Sequence, residues 1–268
     1  MRGTPFLIRL MFGGLFKPTL PTIGMDVAGR IEAVGSNVTQ FKPGDEVFGD
    51  LSSSGFGGFA EYVCAPEEAI ASKPRNITIE DAAAIPAAAL AALQALRDCG
   101  NIQAGHRVLI NGASGGVGSF AVQMAKVWGA EVTAVCNGSK IDMVTAMGPD
   151  HIIDYTQSDV TQTAQNYDLI VDAAAYRSFS AYLPILAPGG TYVVIGGSTV
   201  SFFQAMLLGS WVSKRHNCTI KSLEAVPSAE DLNTIRQMVE EGKIMPQIDR
   251  YYSLEEVPDA MRYVENRQ

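Results

Sequence analysis

Ala113-x-Gly115-x-x-Gly118 sets three small residues at the spacing that lets a peptide chain wrap a pyrophosphate. The first position allows a sharp turn. The second lets backbone come close to the phosphates, and the third lets a helix lie close on a strand. The chemistry is anion binding by main-chain N–H groups at the positive end of a helix, which fits a dinucleotide. Such a loop works only if a strand leads into it and a helix leaves it. The apolar run Val108–Ile110 is the expected strand, and Phe120, Ala121, Met124 and Ala125 fall at helical spacing behind the glycines.

A second set of residues bears on which dinucleotide. The strand expected at Glu131–Cys136 runs into Asn137-Gly-Ser139-Lys140. An acidic residue about twenty positions past the glycines would bond a ribose 2′-hydroxyl. This window holds none before Asp142; it offers an amide, a hydroxyl and an ammonium, which suit a 2′-phosphate. The expectation is NADPH over NADH. The alternative is that Asn137 only caps the next helix while Lys140 is solvated.

The 268 residues, 47% hydrophobic and 18% charged, are enough for two soluble domains or one large one. A net charge of −8, with no basic run, argues against nucleic acid and anionic membrane as partners. Cys64, Cys99, Cys136 and Cys218 are scattered, as are His106, His151 and His216. There is no Cys-x-x-Cys, so no metal site is expected, and the thiols suit the cytoplasm or another reducing compartment. No charged residue lies between Arg177 and Lys214. Prolines and paired glycines interrupt that stretch, so it reads as a helix, a turn, a buried strand (Tyr192–Ile195) and an apolar helix over about 200–212, not a membrane span.

Two kinds of pattern follow one another along the chain. Residues 24–63 alternate with period two between Gly, Pro and Asp turns and predict a small β-domain, with Phe59–Val63 as one of its strands and Tyr62 packed inside it. An alanine-rich helix from about Ile79 to Cys99, started by Thr78, is expected to bridge onward. Beyond Arg107, six strands are expected with helices between them: Val108–Asn111, Glu131–Cys136, His151–Asp154, Leu169–Ala173, Thr191–Ile195 and Thr219–Leu223. Pro188-Gly-Gly190 is read as the stop ending one of those helices. Ser228–Glu241 and Leu254–Glu265 read as further helices. The fold class is α/β: a doubly wound parallel sheet beside a β-rich domain.

These motifs together resemble the zinc-independent quinone oxidoreductase branch of the medium-chain dehydrogenase/reductases, including the group similar to reticulon-4-interacting protein. The resemblance rests on Gly24-Met-Asp-x-x-Gly29, Lys42-Pro-Gly-Asp-x-Val47, Ala60-Glu-Tyr62, Asn111-Gly-Ala-Ser-Gly-Gly-Val-Gly118, Ala121-Val-Gln-Met-Ala-Lys126, Val132-Thr-Ala-Val-Cys136 and Gly148-x-Asp-His-Ile-Ile-Asp-Tyr155. It implies a GroES-like catalytic domain (1–82 and 244–268) and a Rossmann domain (83–243), with NADPH between them. It places Ser114, Gly115, Gly116 and Val117 at the pyrophosphate. Asn137, Ser139, Lys140 and Tyr155 go around the adenosine phosphate, and Ala173 and Ile195 line the ribose and nicotinamide. Zinc-dependent relatives carry Gly-His-Glu where this chain has Gly24-Met25-Asp26.

Without that Lewis acid, the implied reaction is hydride delivery to a small molecule already electrophilic, a quinone or an α,β-unsaturated carbonyl. Relative to the family the chain starts late and ends early, so the GroES-like half is expected to be incomplete, with exposed sheet edges. It also has Ala91 where the family often has Thr. No catalytic residue is named; Tyr62 and water are the candidate proton donors. A nucleotide-binding regulatory or partner-binding module with little turnover is the alternative, and a zinc-type alcohol dehydrogenase a further one. The oligomeric state is left open, with the sixth strand and the 200–212 helix as the expected contact of a homodimer.

Overall fold

The computed structural model describes residues 22–195, 212, 213 and 215–265. The described residues separate into two compact units. One runs up to Ala87 and takes in Pro227–Asn233 and the chain from Ile248; the other comprises Ala88–Val226 and Thr234–Gln247.

In the first unit, β1 (Asp26–Arg30), β2 (Glu46–Asp50) and β3 (Ile70–Ser72) form an antiparallel sheet in that order. The turn before β2 is built as its sequence suggests: Gly44 takes φ +95°, and the Asp45 carboxylate accepts from the Lys42 N–H. Phe59–Val63, however, is not a strand, and Tyr62 is 76% exposed. The glycines at 55, 57 and 58 precede it. Gly55 and Gly57 both have positive φ, which turns the chain away from the ladder.

The second unit holds six parallel strands: β4 (Arg107–Asn111), β5 (Glu131–Cys136), β6 (His151–Asp154), β7 (Tyr167–Asp172), β8 (Leu186–Val194) and β9 (Thr219–Ser222). Their order is β6-β5-β4-β7-β8-β9. The direction of winding reverses at β4, so its carboxyl end, between β5 and β7, is the switch point where a crevice forms. Val108, Leu109, Ile110, Val132, Ala134, Leu169, Ile170 and Val171 are all fully buried. Consecutive residues are buried because both faces of the sheet are covered, which removes the alternation seen in half-exposed strands. Behind the glycine loop, α3 (Gly116–Val127) buries Phe120, Ala121, Val122, Met124 and Ala125.

Three other expectations change. The bridging helix is two, α1 (Ile79–Ala82) and α2 (Pro86–Gln94), with a wider turn at Ala95–Cys99. Pro86 causes the break, because its ring disfavours helical backbone at the residue before it while suiting the first turn of a new helix. The connections from β6 to β7 and from β7 to β8 contain one 3₁₀ turn (Val160–Gln162) and two (Phe179–Ala181 and Leu183–Ile185) in place of crossover helices. After β5 come only a 3₁₀ turn, Gly138–Lys140, and the one-turn α4 (Ile141–Thr145). Pro188-Gly-Gly190 does not stop a helix. It lies inside β8, where the pairing jumps from Tyr167↔Leu186 to Leu169↔Thr191 and leaves a bulge, with Gly189 at φ +80°.

The last helices are α5 (Ala229–Glu240) and α6 (Val257–Glu265), the latter entered through a capping box on Ser253 and Glu256. The helix expected over 200–212 lies, apart from Val212, outside the described residues. Among the described residues no helix is long and apolar enough to cross a membrane.

Candidate functional site

Every residue expected at the cofactor lies at the carboxyl end of a parallel strand in the second unit. Ser114–Val117 follow β4, Asn137–Lys140 follow β5, Tyr155 follows β6, Ala173 follows β7 and Ile195 follows β8. The parallel register explains the gathering: Asn111 pairs with Val135 and Asp172, Cys136 with Asp154, and Asp172 with Val194.

The loop after β4 is tied down from below. The Gly112 and Ala113 N–H groups donate to the Val135 carbonyl, and the Gly115 N–H donates back to Gly112. Helix α3 then opens at Gly116, so the N–H groups of its first turn have no acceptor within the helix. The glycines at 115, 116 and 118 prove unequal. A Cβ at Gly118 would sit 2.1 Å from the Gly112 carbonyl oxygen and 2.9 Å from the Ala113 Cα, so the fold itself demands glycine there. At Gly115 the nearest atom would be 3.4 Å away, and at Gly116 3.6 Å. Both are exposed, and neither has positive φ. The protein has room for side chains there, so these two glycines keep an exposed stretch of backbone bare at a helix start. That is the cradle a pyrophosphate fits.

At the end of β5, Asn137 does two jobs. Its side-chain oxygen accepts from the Ser139 N–H at 3.0 Å, and its amide nitrogen donates to the Tyr155 hydroxyl at 3.2 Å. It therefore caps the short turn Gly138–Lys140 and also joins it to Tyr155, which is 58% exposed. Asp154 also belongs here, a residue that counting along the chain from the glycines passes over. Because β6 lies parallel to β5, its carboxylate arrives beside Gly138, where a Cβ would be only 2.5 Å from Oδ2. The Thr156 N–H and hydroxyl, with help from the Gly138 N–H, hold this carboxyl below the usual range.

Ala173 and Ile195 are half-buried and anchored by neighbouring strands: the Ala173 N–H donates to Asn111 and the Ile195 N–H to Asp172. Beneath them lies a polar network. Asp172 is fully buried and accepts from Asn111 Nδ2 (2.7 Å), from the Ala175 N–H (2.7 Å) and from the Tyr192 hydroxyl (2.7 Å). Asn111 Nδ2 also donates to the Tyr182 hydroxyl at 3.0 Å. Burial, and then the neighbouring Asp172 charge, push both tyrosines far above their ordinary values, so both stay neutral, Tyr192 donating to Asp172 and Tyr182 accepting from Asn111.

In the first unit, Asp26 faces Asp50 across the β1–β2 ladder, and its carboxylate accepts from the Ala87 N–H at 2.7 Å. Burial, with a smaller push from Asp50, raises its pKa to about 6 against the lowering pull of that N–H. Asp26 and the exposed Tyr62 line one cavity of about 690 Å³. An acid whose pKa is raised by folding binds its proton more tightly when folded, so its contribution to stability falls as pH rises from the unfolded value through about 6. Asp26→Asn keeps an acceptor for Ala87 and removes the charge. The difference in unfolding free energy between Asp26→Asn and wild type should grow by on the order of 1–3 kcal/mol from pH 4 to 7, as read by denaturant melts. Parallel profiles would contradict the burial of this carboxyl.

Among the described residues, no three His, Cys, Asp or Glu side chains gather in a way that could hold a metal ion. Met25, in the place of the zinc relatives' histidine, is 39% exposed.

Two protein families match the chain: the alcohol dehydrogenase GroES-like domain over residues 7–75 and the zinc-binding dehydrogenase family over 147–268. The chloroplast envelope quinone oxidoreductase homolog of Arabidopsis thaliana is 34% identical over 261 residues, covering 92% of this chain and 78% of the relative. The mitochondrial NAD(P)H oxidoreductase RTN4IP1 of Bos taurus is 34% identical, covering 91% and 67%. Among solved structures, the quinone oxidoreductase from Coxiella burnetii superposes with a TM-score of 0.84 at 27% identity, covering 98% of this chain and 83% of that one. With a GroES-like match, a six-stranded parallel sheet and a bare glycine cradle at its switch point, the chain belongs to the medium-chain dehydrogenase/reductase superfamily and is a nicotinamide-dependent oxidoreductase.

Proposed function

We propose that this protein is a zinc-independent NADPH reductase whose small-molecule substrates are quinones or α,β-unsaturated carbonyl compounds. The observation that carries the reading is the cradle at Gly115 and Gly116, bare where the fold has room for side chains. The quinone oxidoreductase names of the relatives supply the substrate class. Ser114, Gly115, Gly116 and Val117 would hold the pyrophosphate. Asn137, Ser139, Lys140 and Tyr155 would take the 2′-phosphate, and Ala173 and Ile195 would flank the ribose and nicotinamide. When bound there, the cofactor supplies the hydride. The chain's own part is to fix the dinucleotide against the sheet edge. A quinone needs no obligatory acid, because solvent can protonate the product. We assign residues 1–82 and 244–268 to the GroES-like half and 83–243 to the Rossmann half. The free thiols Cys64, Cys99, Cys136 and Cys218 fit the cytoplasm or another reducing compartment.

The test is a fluorescence titration with NADPH and with NADH, for wild type and Lys140→Ala, followed by 9,10-phenanthrenequinone in the same cuvette. We expect tighter NADPH than NADH binding. Lys140→Ala should weaken NADPH on the order of tenfold, the worth of one charge-assisted contact, and NADH far less. Quinone-dependent oxidation should survive dialysis against a chelator. Equal losses for both cofactors would refute the 2′-phosphate assignment. Binding without oxidation would instead support a nucleotide-binding module. Oxidation lost with the metal would support zinc chemistry.

A further inference from the structure

The turn proposed to receive the 2′-phosphate already carries an anion of the protein's own. Asp154 Oδ1 takes the Thr156 N–H (2.9 Å) and hydroxyl (2.8 Å), while Oδ2 lies against Gly138. The backbone of the turn is committed as well. The Ser139 N–H goes to Asn137 Oδ1 and the Lys140 N–H to the Asn137 carbonyl. A phosphate arriving here must therefore be held by side chains: Ser139 Oγ, the Lys140 ammonium, Asn137 Nδ2 and the Tyr155 hydroxyl. The attraction of Lys140 is opposed by a carboxylate bonded to the same loop.

We propose that Asp154 is a specificity residue that lowers affinity for the 2′-phosphate and so limits the preference for NADPH over NADH. The inference rests on the cofactor reading above, and its geometry is visible in Gly138. That residue is glycine with no positive φ to require it, because a side chain would run into the carboxylate. The charge is also secure: hydrogen bonds from Thr156 and Gly138 favour the ionised form, so it is present throughout the neutral range. Asp154→Asn keeps an acceptor for the Thr156 N–H and hydroxyl and removes only the charge.

The experiment measures the ratio of dissociation constants for 5′-AMP and 2′,5′-ADP by calorimetry, for wild type, Asp154→Asn and Asp154→Ser. A ratio within each variant cancels any inactive fraction, and the two variants differ in what they leave at Thr156. The ratio should rise on the order of threefold to tenfold in both, the effect of removing one like charge at the surface of the site. The gain should shrink as salt is raised from about 0.02 to about 0.3 M, because screening weakens such charges. An unchanged ratio overturns the proposal. So does an equal loss for both ligands, which would make Asp154 only a brace for the turn. If wild type itself does not favour 2′,5′-ADP, the NADPH reading fails separately, while the change on substitution still decides the role of Asp154.

Discussion

Gly118→Ala is expected to abolish useful cofactor binding, whereas Gly116→Ala should leave the fold intact. A methyl at 118 would meet the Gly112 carbonyl oxygen at 2.1 Å and backbone carbon at 2.8 Å. These are main-chain atoms of the loop itself, held by the bonds from Gly112 and Ala113 to Val135, so nothing flexible can yield. Helix α3 must move off β4, and the N–H groups of its first turn move with it. Losing one or two charge-assisted hydrogen bonds to a pyrophosphate costs on the order of a hundredfold in affinity. The packing change itself costs about 1–3 kcal/mol of stability. At 116 a methyl would find only the Ala88 Cβ, at 3.6 Å, an ordinary contact. Gly116→Ala should therefore melt like wild type and still bind cofactor more weakly, because the methyl occupies the space a ligand needs. Dissociation constants by fluorescence, set beside thermal melts, separate the two. Wild-type affinity in Gly118→Ala, or a large stability loss in Gly116→Ala, would reverse the roles given to these glycines.

That division of labour also shows what the sequence could and could not convey. Strand, loop and helix around residues 107–127 are legible because local rules fix them: an apolar run, small residues at set intervals, then helical spacing. The register of the parallel sheet brings Asn137, Tyr155, Ala173 and Ile195 to one edge. Asp154 escapes, because its nearness to Gly138 is a cross-strand fact. Spacing along the chain past β5 holds no such acid, because the acid sits at the end of the neighbouring strand. Similarly, Pro188-Gly-Gly190 carries a stop signal that is locally correct, yet β8 absorbs it as a bulge because pairing with β7 and β9 outweighs local preference. Pro86 was readable in principle; the alanine pattern on both sides hid the break. Asp26 stood in a recognised motif, but its raised pKa comes from burial and from Asp50 across the ladder, which the sequence cannot express.

Asp172→Ala carries the other large expected effect, and it follows from a network of residues far apart in the chain. The carboxylate is fully buried, and four donors converge on it: the Asn111 amide, the Ala174 and Ala175 N–H groups and the Tyr192 hydroxyl. Truncation takes this acceptor from all four, and Ala175 and Tyr192 are buried, at about 1–3 kcal/mol for each group that finds no substitute. A net loss of about 3–5 kcal/mol is expected, a large part of the roughly 5–15 kcal/mol that holds a domain folded. The network also sets a backbone conformation. Ala175 sits at φ +44°, a left-handed value that costs a residue with a side chain about 1–2 kcal/mol, and the bond from its N–H to Asp172 holds it there. The turn from Ala173 to Ala175 is the floor of the proposed ribose site, so Asp172→Ala should weaken cofactor binding as well as lower the melting temperature. Ala175→Gly separates these contributions, because glycine adopts positive φ without help. Added to Asp172→Ala, it should recover part of the binding and little of the stability, since the unsatisfied donors remain. If the double variant recovers stability and not binding, the strain at Ala175 is the main cost and the hydrogen-bond argument fails. A wild-type melt for Asp172→Ala would show that the four donors find other partners and that the network holds nothing in place.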